Sequence, residues 1–414
     1  MPGCPATRPG AFGFPLSSSC FPLPAAAVYS SAPVFPERAV PSPDLQRHCH
    51  TVFPGHRQRR PAEQFAAMAA WCEQHDIDHD VYGNGALIGA FEAKVAATLG
   101  FEAAVFCVSG TMAQVTALRL ACADRASRLV ALHPTSHIFV HERANYQLLD
   151  HFQALSVGDR HRPWSAADLM EVPDRLGAVG LEIPMREIGG QLSPWDELAA
   201  IKRGCRERGI HLHMDGARLW EAAAGYGRSA AEIAAGFDSV YVSLYKGIGG
   251  LGGAMLAGSR EFVERCAEWF RRQGGNVIHR SPYVVAAAMD FDMRLAAMPE
   301  YFRRTQCLYA ALRAHPAIRV NPAAPQANML HLHLPVSRDD ALAVRDALAV
   351  EHGIWMFNRA AHGALPGTSV VELYVGDNLL AMPDDALRLA LGHFADRLSK
   401  ASGAADAADA TMVK

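Results

Sequence analysis

Short apolar runs recur along the first two-thirds of the chain: Ala104 to Val108, Leu129 to Leu132, Val179 to Ile183, Ile210 to Met214 and Val240 to Leu244. Helical patterns fill several of the intervals. An uninterrupted apolar run suits a strand covered on both faces, and parallel strands need crossovers long enough to hold a helix. The alternation predicts an α/β architecture, a mostly parallel sheet covered by helices. One such helix starts at Pro61, where Phe65, Met68, Ala69 and Cys72 fall on one face at helical spacing. A second runs from Phe91 to Leu99 and ends at Gly100, a residue suited to the left-handed turn that closes helices. A third covers Met112 to Cys122.

The texture changes after Gly258. Long helices are expected up to about 315, then a strand near Met329–Leu334, a helix around Asp339–Glu351 and a strand near Val370–Val375. These predict a smaller C-terminal α+β domain. The expected division is a disordered extension over 1–46, a large domain over 47–280, a small domain over 281–400 and a disordered tail over 401–414. In the extension, Pro15, Pro22, Pro24, Pro33 and Pro36 interrupt the apolar stretches. A membrane span needs about 20 unbroken apolar residues, and a secretory signal a basic start with an unbroken apolar run.

Charge excludes other classes of partner. Lys+Arg 39 against Asp+Glu 42 leaves a net charge of -3, which points to neither nucleic acid nor an acidic membrane. Nine cysteines are scattered without a CxxC pair, so reduced thiols in the cytoplasm are expected rather than a disulfide framework. His48 and His50 flank Cys49 without a second ligand pair at finger spacing, and no metal is expected.

Four features lie at the ends of expected strands, where open α/β sheets place their ligands. Ser109-Gly110-Thr111 stands between a strand and a helix. Its glycine admits close backbone approach, and the free N–H groups of a helix start suit a phosphate or serve an ordinary cap. Asp215 closes the strand that ends His213-Met214-Asp215 and precedes Gly216-Ala217-Arg218. A carboxylate there needs a partner such as a protonated pyridine nitrogen, or else caps the next helix. Lys246 follows Ser243-Leu244-Tyr245 and precedes Gly247-Ile248-Gly249-Gly250. A desolvated lysine has a lowered pKa and forms Schiff bases. His133-Pro134-Thr135-Ser136-His137 follows the Leu129–Leu132 strand, and a lone histidine there is more often structural.

In their wording these motifs resemble the threonine aldolases. His213 to Trp220, HMDGARLW, looks like their HLDGARLWNA. The stretch from Ser229 to Ser239 and the SLYKG that follows resemble their approach to the Schiff-base lysine. Asp80-Val81-Tyr82-Gly83 matches their DVYG, Val108 to Ala113 their PSGTMA, and His137-Ile138-Phe139 with Glu142 their AHI…E. The resemblance runs from about 78 to 260 and implies a fold-type I, pyridoxal 5′-phosphate (PLP)-dependent enzyme of the threonine aldolase / aromatic amino acid β-eliminating lyase family. It implies that Lys246 carries the cofactor as a Schiff base and that Asp215 keeps the ring nitrogen protonated. It further implies that His137 stacks on the ring near the β-hydroxyl, as the candidate base, and that Ser109, Gly110 and Thr111 hold the phosphate. Arg218 would bind the carboxylate of a small amino-acid substrate, with Tyr82 and Arg186 as further substrate-binding residues. A homodimer or homotetramer is implied as well.

Departures fall on the substrate side. The serine of the family's opening RSDTVT is missing near His48 to Phe53. An acid in Val371-Glu372-Leu373-Tyr374 stands at or near the position of a second carboxylate-binding arginine, for which Arg359 is a possible substitute. The ENTHN segment becomes Glu182-Ile183-Pro184-Met185-Arg186, without a clear second histidine, and Tyr245 replaces the usual serine before the lysine. Arg186 is expected either to bind an anion or to pair with Glu187 or Glu182. The expected reaction is retro-aldol cleavage of a β-hydroxy-α-amino acid to glycine and an aldehyde. The alternatives are β-elimination or racemization, or PLP binding without catalysis.

Overall fold

The structure, a computed structural model, describes residues 43–57 and 59–412. The expectation for the N-terminal extension therefore lies outside the described residues up to 42, and from there a short helix, Pro43–His48, begins. The main sheet has seven strands: β1 (Ala103–Cys107), β2 (Leu129–Leu132), β3 (Gln153–Ser156), β4 (Ala178–Glu182), β5 (His211–Asp215), β6 (Ser239–Ser243) and β7 (Ala254–Gly258). Their spatial order is β1-β7-β6-β5-β4-β2-β3. The run from β6 to β3 is parallel, while β7 is antiparallel to both neighbours. Strands β4, β5, β6 and β7 are buried along their whole length, as strands covered on both faces are, and β5 buries His211, His213 and Asp215 with them.

Helices cover both faces. Ala86–Leu99 ends at Gly100, whose φ of 75° only glycine adopts freely. Gly110–Asp124 is capped by Ser109, whose side chain accepts from the Met112 N–H. The Pro61–His75 helix has its proline in the first turn, but its apolar face is a correction to the sequence reading. Phe65 is 59% exposed while Gln64 is buried, and Ala69 is exposed as well. Helical spacing marks which residues share a face; it does not say what covers that face.

A second, antiparallel sheet is built from β8 (Arg319–Asn321), β9 (Met329–Leu334), β10 (Ala361–His362) and β11 (Ser369–Tyr374) in the order β10-β11-β9-β8. The helix Ser281–Leu312 joins the two cores. Val284, Ala287 and Phe291 pack into the main one, and Leu308, Tyr309 and Leu312 into the second. The short segment Thr51–Val52 pairs in parallel with Ile354–Trp355, and Gly55 bridges to Val375. These contacts carry His56 to the edge of the site. The C-terminal helix extends through Asp384–Met412, where a disordered tail was expected over 401–414. The stretch is alanine-rich, and alanine is the strongest helix former. Among the described residues no helix is long and apolar enough to cross a membrane.

Candidate active site

Lys246 lies in the turn after β6, inside a loop closed by hydrogen bonds from the Gly250 N–H to the Leu244 carbonyl (2.8 Å) and from the Leu244 N–H to the Gly253 carbonyl (3.2 Å). The loop is tight enough that a Cβ on Gly247 would stand 2.5 Å from Glu221 Oε1, and one on Gly250 2.7 Å from the Leu244 carbonyl. Removal from water lowers the pKa of Lys246, and the Arg218 guanidinium lowers it further, against the pull of Asp215 and Glu182. The lysine lines two cavities. One, of about 220 Å³, is walled by Ser109, Gly110, Thr111, His137 and Tyr241. The other, of about 570 Å³, is walled by His56, Arg218, Arg294 and Tyr374 among others.

In the smaller cavity the sequence-predicted residues come together. Gly110 opens its helix directly under Tyr241, where a Cβ would meet the phenol oxygen at 2.2 Å. Ser109 is both the helix cap and a lining residue. His137 opens a short helix, His137–His141. Its backbone N–H donates to Glu182 Oε2 (3.3 Å), and its Nδ1 is hydrogen-bonded to Glu142 Oε1 (3.1 Å). Burial works against protonation of this ring, but the Glu142 hydrogen bond and the charge of Asp215 outweigh it and raise its pKa. His133, the other histidine of that segment, is fully buried and hydrogen-bonded to Thr135 Oγ1 and the Asp159 carbonyl, a structural role.

Asp215 ends β5 nearly buried, and its Oδ1 accepts from the Ala217 N–H at 3.1 Å. Capping thus occupies one of its oxygens only. On the same face of β5, His213 is buried against it, and burial pulls that imidazole pKa down to about 4 despite the attraction of Asp215. On the neighbouring strand Glu182 stands in register with Asp215. Burial and the Asp215 charge push the Glu182 pKa up to about 7, against the N–H bond from Arg186.

Arg218 lines the larger cavity beside Lys246. Its Nε is buried without a hydrogen-bond partner, and among the described residues no carboxylate forms an ion pair with it. Arg186 pairs with Glu187, as one of the expectations had it, and gains a further partner in Glu372. Its Nε and Nη2 meet Glu372 Oε2 and Oε1 at 2.8 and 3.1 Å, and Nη1 lies 3.5 Å from Glu187 Oε1. The acid at the position of the missing arginine is thus held by an arginine from the other sheet. Tyr82 does not join them: it sits at φ 53°, 46% exposed, and lines neither cavity. Arg359 is exposed and also outside both.

Two groups at the site had no sequence signal. His56 arrives through the pairing of Thr51–Val52 and meets Asp377 at 3.3 Å, with Arg294 Nη1 2.9 Å from the same imidazole. Glu221 is buried beneath the lysine loop, where the Tyr374 hydroxyl donates to its Oε1 at 2.9 Å.

The family model described as beta-eliminating lyase matches residues 62–335. The low specificity L-threonine aldolase of Saccharomyces cerevisiae is 32% identical over 224 residues, 51% of this chain and 56% of that protein. A Listeria monocytogenes structure carrying a provisional L-allo-threonine aldolase name is 35% identical, with a TM-score of 0.80 over 86% of this chain and 98% of its own. The serine palmitoyltransferase of Sphingomonas wittichii, at 16% identity and a TM-score of 0.64 over 85% of this chain and 88% of its own, shares the fold.

Proposed function

The chain belongs to the beta-eliminating lyase family, and on that premise we propose that it is a PLP-dependent lyase cleaving a β-hydroxy-α-amino acid to glycine and an aldehyde. The observation that carries this reading is the convergence of Lys246, His137 and the Ser109–Thr111 turn on one cavity of about 220 Å³, with Asp215 at the adjoining strand end.

The residues fit the cofactor. The open N–H groups at the start of the Gly110 helix, Ser109 and Thr111 would hold its phosphate, in a cradle that a side chain at position 110 would fill. Asp215 has one oxygen left for a ring nitrogen, and His213 behind it, held neutral by burial, adds no positive charge to compete for that carboxylate. The cofactor supplies an electron sink for the pair left on Cα when the Cα–Cβ bond breaks. Lys246, with its lowered pKa, presents an uncharged amine more readily than a solvated lysine. His137, fixed by Glu142, would cover the ring face near the β-hydroxyl. Arg218, without an ion-pair partner of its own, binds the α-carboxylate, a task for which a planar guanidinium is shaped. Arg186, oriented by Glu372, would act on a substrate from outside the two cavities, whose walls do not include it.

A homodimer or homotetramer is part of this reading. Phe65, Val81, Tyr82, Leu251 and Ile278 are all exposed apolar residues, and Phe65 and Leu251 line the larger cavity. A second copy covering them would also bring Tyr82 to a substrate. Seven described cysteines are unpaired thiols, consistent with the cytoplasm.

The test combines chromophore and product. The reading expects a borohydride-trappable chromophore that Lys246→Ala abolishes, with aldehyde and glycine released from a panel of β-hydroxy amino acids. Pyruvate or ammonia in their place would favour β-elimination, and a chromophore without turnover a silent binder.

A further inference from the structure

Beside the predicted residues the structure assembles a group to which the motifs assigned no role. His141 closes the short helix opened by His137, and the two rings stand 5.1 Å apart, tilted by 45°. His141 Nε2 is hydrogen-bonded to Glu187 Oε1 at 2.7 Å and lies 3.5 Å from Arg186 Nη1. Arg186 is in turn clamped by Glu372. Both His141 and Glu187 remain about one quarter exposed, at 25% and 28%, so the pair faces open space rather than core. Burial opposes ionisation of Glu187, but the His141 bond and the Arg186 charge prevail and keep it a carboxylate. A carboxylate bound to one imidazole nitrogen sets that nitrogen as the N–H and leaves the other as a base. That other nitrogen, Nδ1 of His141, has no hydrogen-bond partner among the described residues.

We propose that His141, oriented by Glu187, is the base that takes the β-hydroxyl proton, while His137 covers the ring and steadies the hydroxyl. The inference rests on the retro-aldol reading above. In the step, the O–H bond breaks and its proton passes to His141 Nδ1. The oxygen's electron pair forms the C=O of the aldehyde, and the Cα–Cβ pair stays on Cα, which later takes up a proton and departs as glycine. His141 returns its proton to solvent. The division of labour follows from the geometry: Nδ1 of His137 is already engaged by Glu142, whereas the His141 ring, 5.1 Å from that of His137, is held by Glu187 through Nε2 alone and keeps Nδ1 for a proton. Glu187 is a positioning residue in this scheme, and Arg186 with Glu372 forms the wall behind it.

The experiment uses the PLP-loaded enzyme with β-phenylserine, following benzaldehyde release, and in parallel α-proton exchange of glycine in D2O. The exchange needs Lys246 and the carboxylate site but no hydroxyl base. For His141→Ala the expected result is a kcat for cleavage lower by about 100-fold or more, with partial recovery on adding imidazole. KM and the glycine exchange rate should stay within about threefold of the parent. Glu187→Gln should lower kcat by about tenfold at similar KM, and Glu187→Asp should recover part of that. A His141→Ala enzyme that keeps its kcat, changes only KM, or loses exchange in proportion to cleavage overturns the assignment. An unaltered enzyme that exchanges glycine without releasing benzaldehyde defeats the retro-aldol reading instead.

Discussion

Arg186 and Glu372, 186 residues apart in the chain, form a two-point ion pair beside the candidate site, with N–O distances of 2.8 and 3.1 Å. The pair joins the segment after β4 to β11, so it ties the two sheets together. Both side chains are 31% exposed, and its worth lies in position more than in stability. Arg186→Glu and Glu372→Arg should each lower kcat/KM by about tenfold to 100-fold, because small displacements of a positioned group are costly. The double exchange should recover at least about tenfold over either single variant, if the pairing itself matters. Steady-state kinetics on all four proteins measures the coupling.

Glu182 gives a pH signature in the cofactor-free protein. Its pKa is about 7 in the fold against an ordinary 4.5. Between those values the unfolded chain has released a proton that the folded chain keeps, so this group's contribution is complete below 4.5 and lost as pH rises through 7. Glu182→Gln stays neutral throughout. Chemical denaturation from pH 4.5 to 8 should therefore show the variant gaining on the parent as pH rises, by roughly 3 kcal/mol at most. A constant difference across that range would refute the raised pKa.

Arg218 stands beside the lysine with its Nε unbonded and, among the described residues, no carboxylate in close ion-pair contact. Arg218→Gln should raise KM by about 30-fold to 100-fold, the loss of a charge-assisted pair. A matched amine without a carboxyl group should bind both proteins alike in a spectral titration.

Gly110 has no room for a methyl group, since Tyr241 Oη lies 2.2 Å from where Cβ would be. Gly110→Ala should lower stability by about 1–3 kcal/mol through overpacking. It should also release PLP on gel filtration under conditions where the parent retains it, which absorbance of the eluted protein will show.

Phe65 tests the assembly. Placing a charge on this 59% exposed residue should disrupt an apolar contact between copies, so Phe65→Asp is expected to sediment as a smaller species. Equal sedimentation of parent and variant would place the interface elsewhere.

The strand-end residues were far more legible in the sequence than the contacts between the two sheets, for a physical reason. Asp215 ends its strand, and Ser109 and Lys246 follow theirs within three residues, so the local pattern alone places them at the same edge of a mostly parallel sheet. Arg186 meets Glu372 only because two sheets dock, and no spacing rule reaches that far. His56 comes through a two-residue pairing with Ile354–Trp355, too short to leave a pattern. The misassigned face of Phe65 shows a related limit: amphipathicity identifies a face that seeks cover, and this chain alone leaves it uncovered. His141 sat inside a recognised motif, yet its partner Glu187 lies 46 positions on.

Lys246, with its neighbour Tyr245, is a wall common to both cavities. On the proposed reading the same amine would face a cofactor held in the narrower cavity and a substrate arriving in the wider one, so a change at this single side chain would be felt by both.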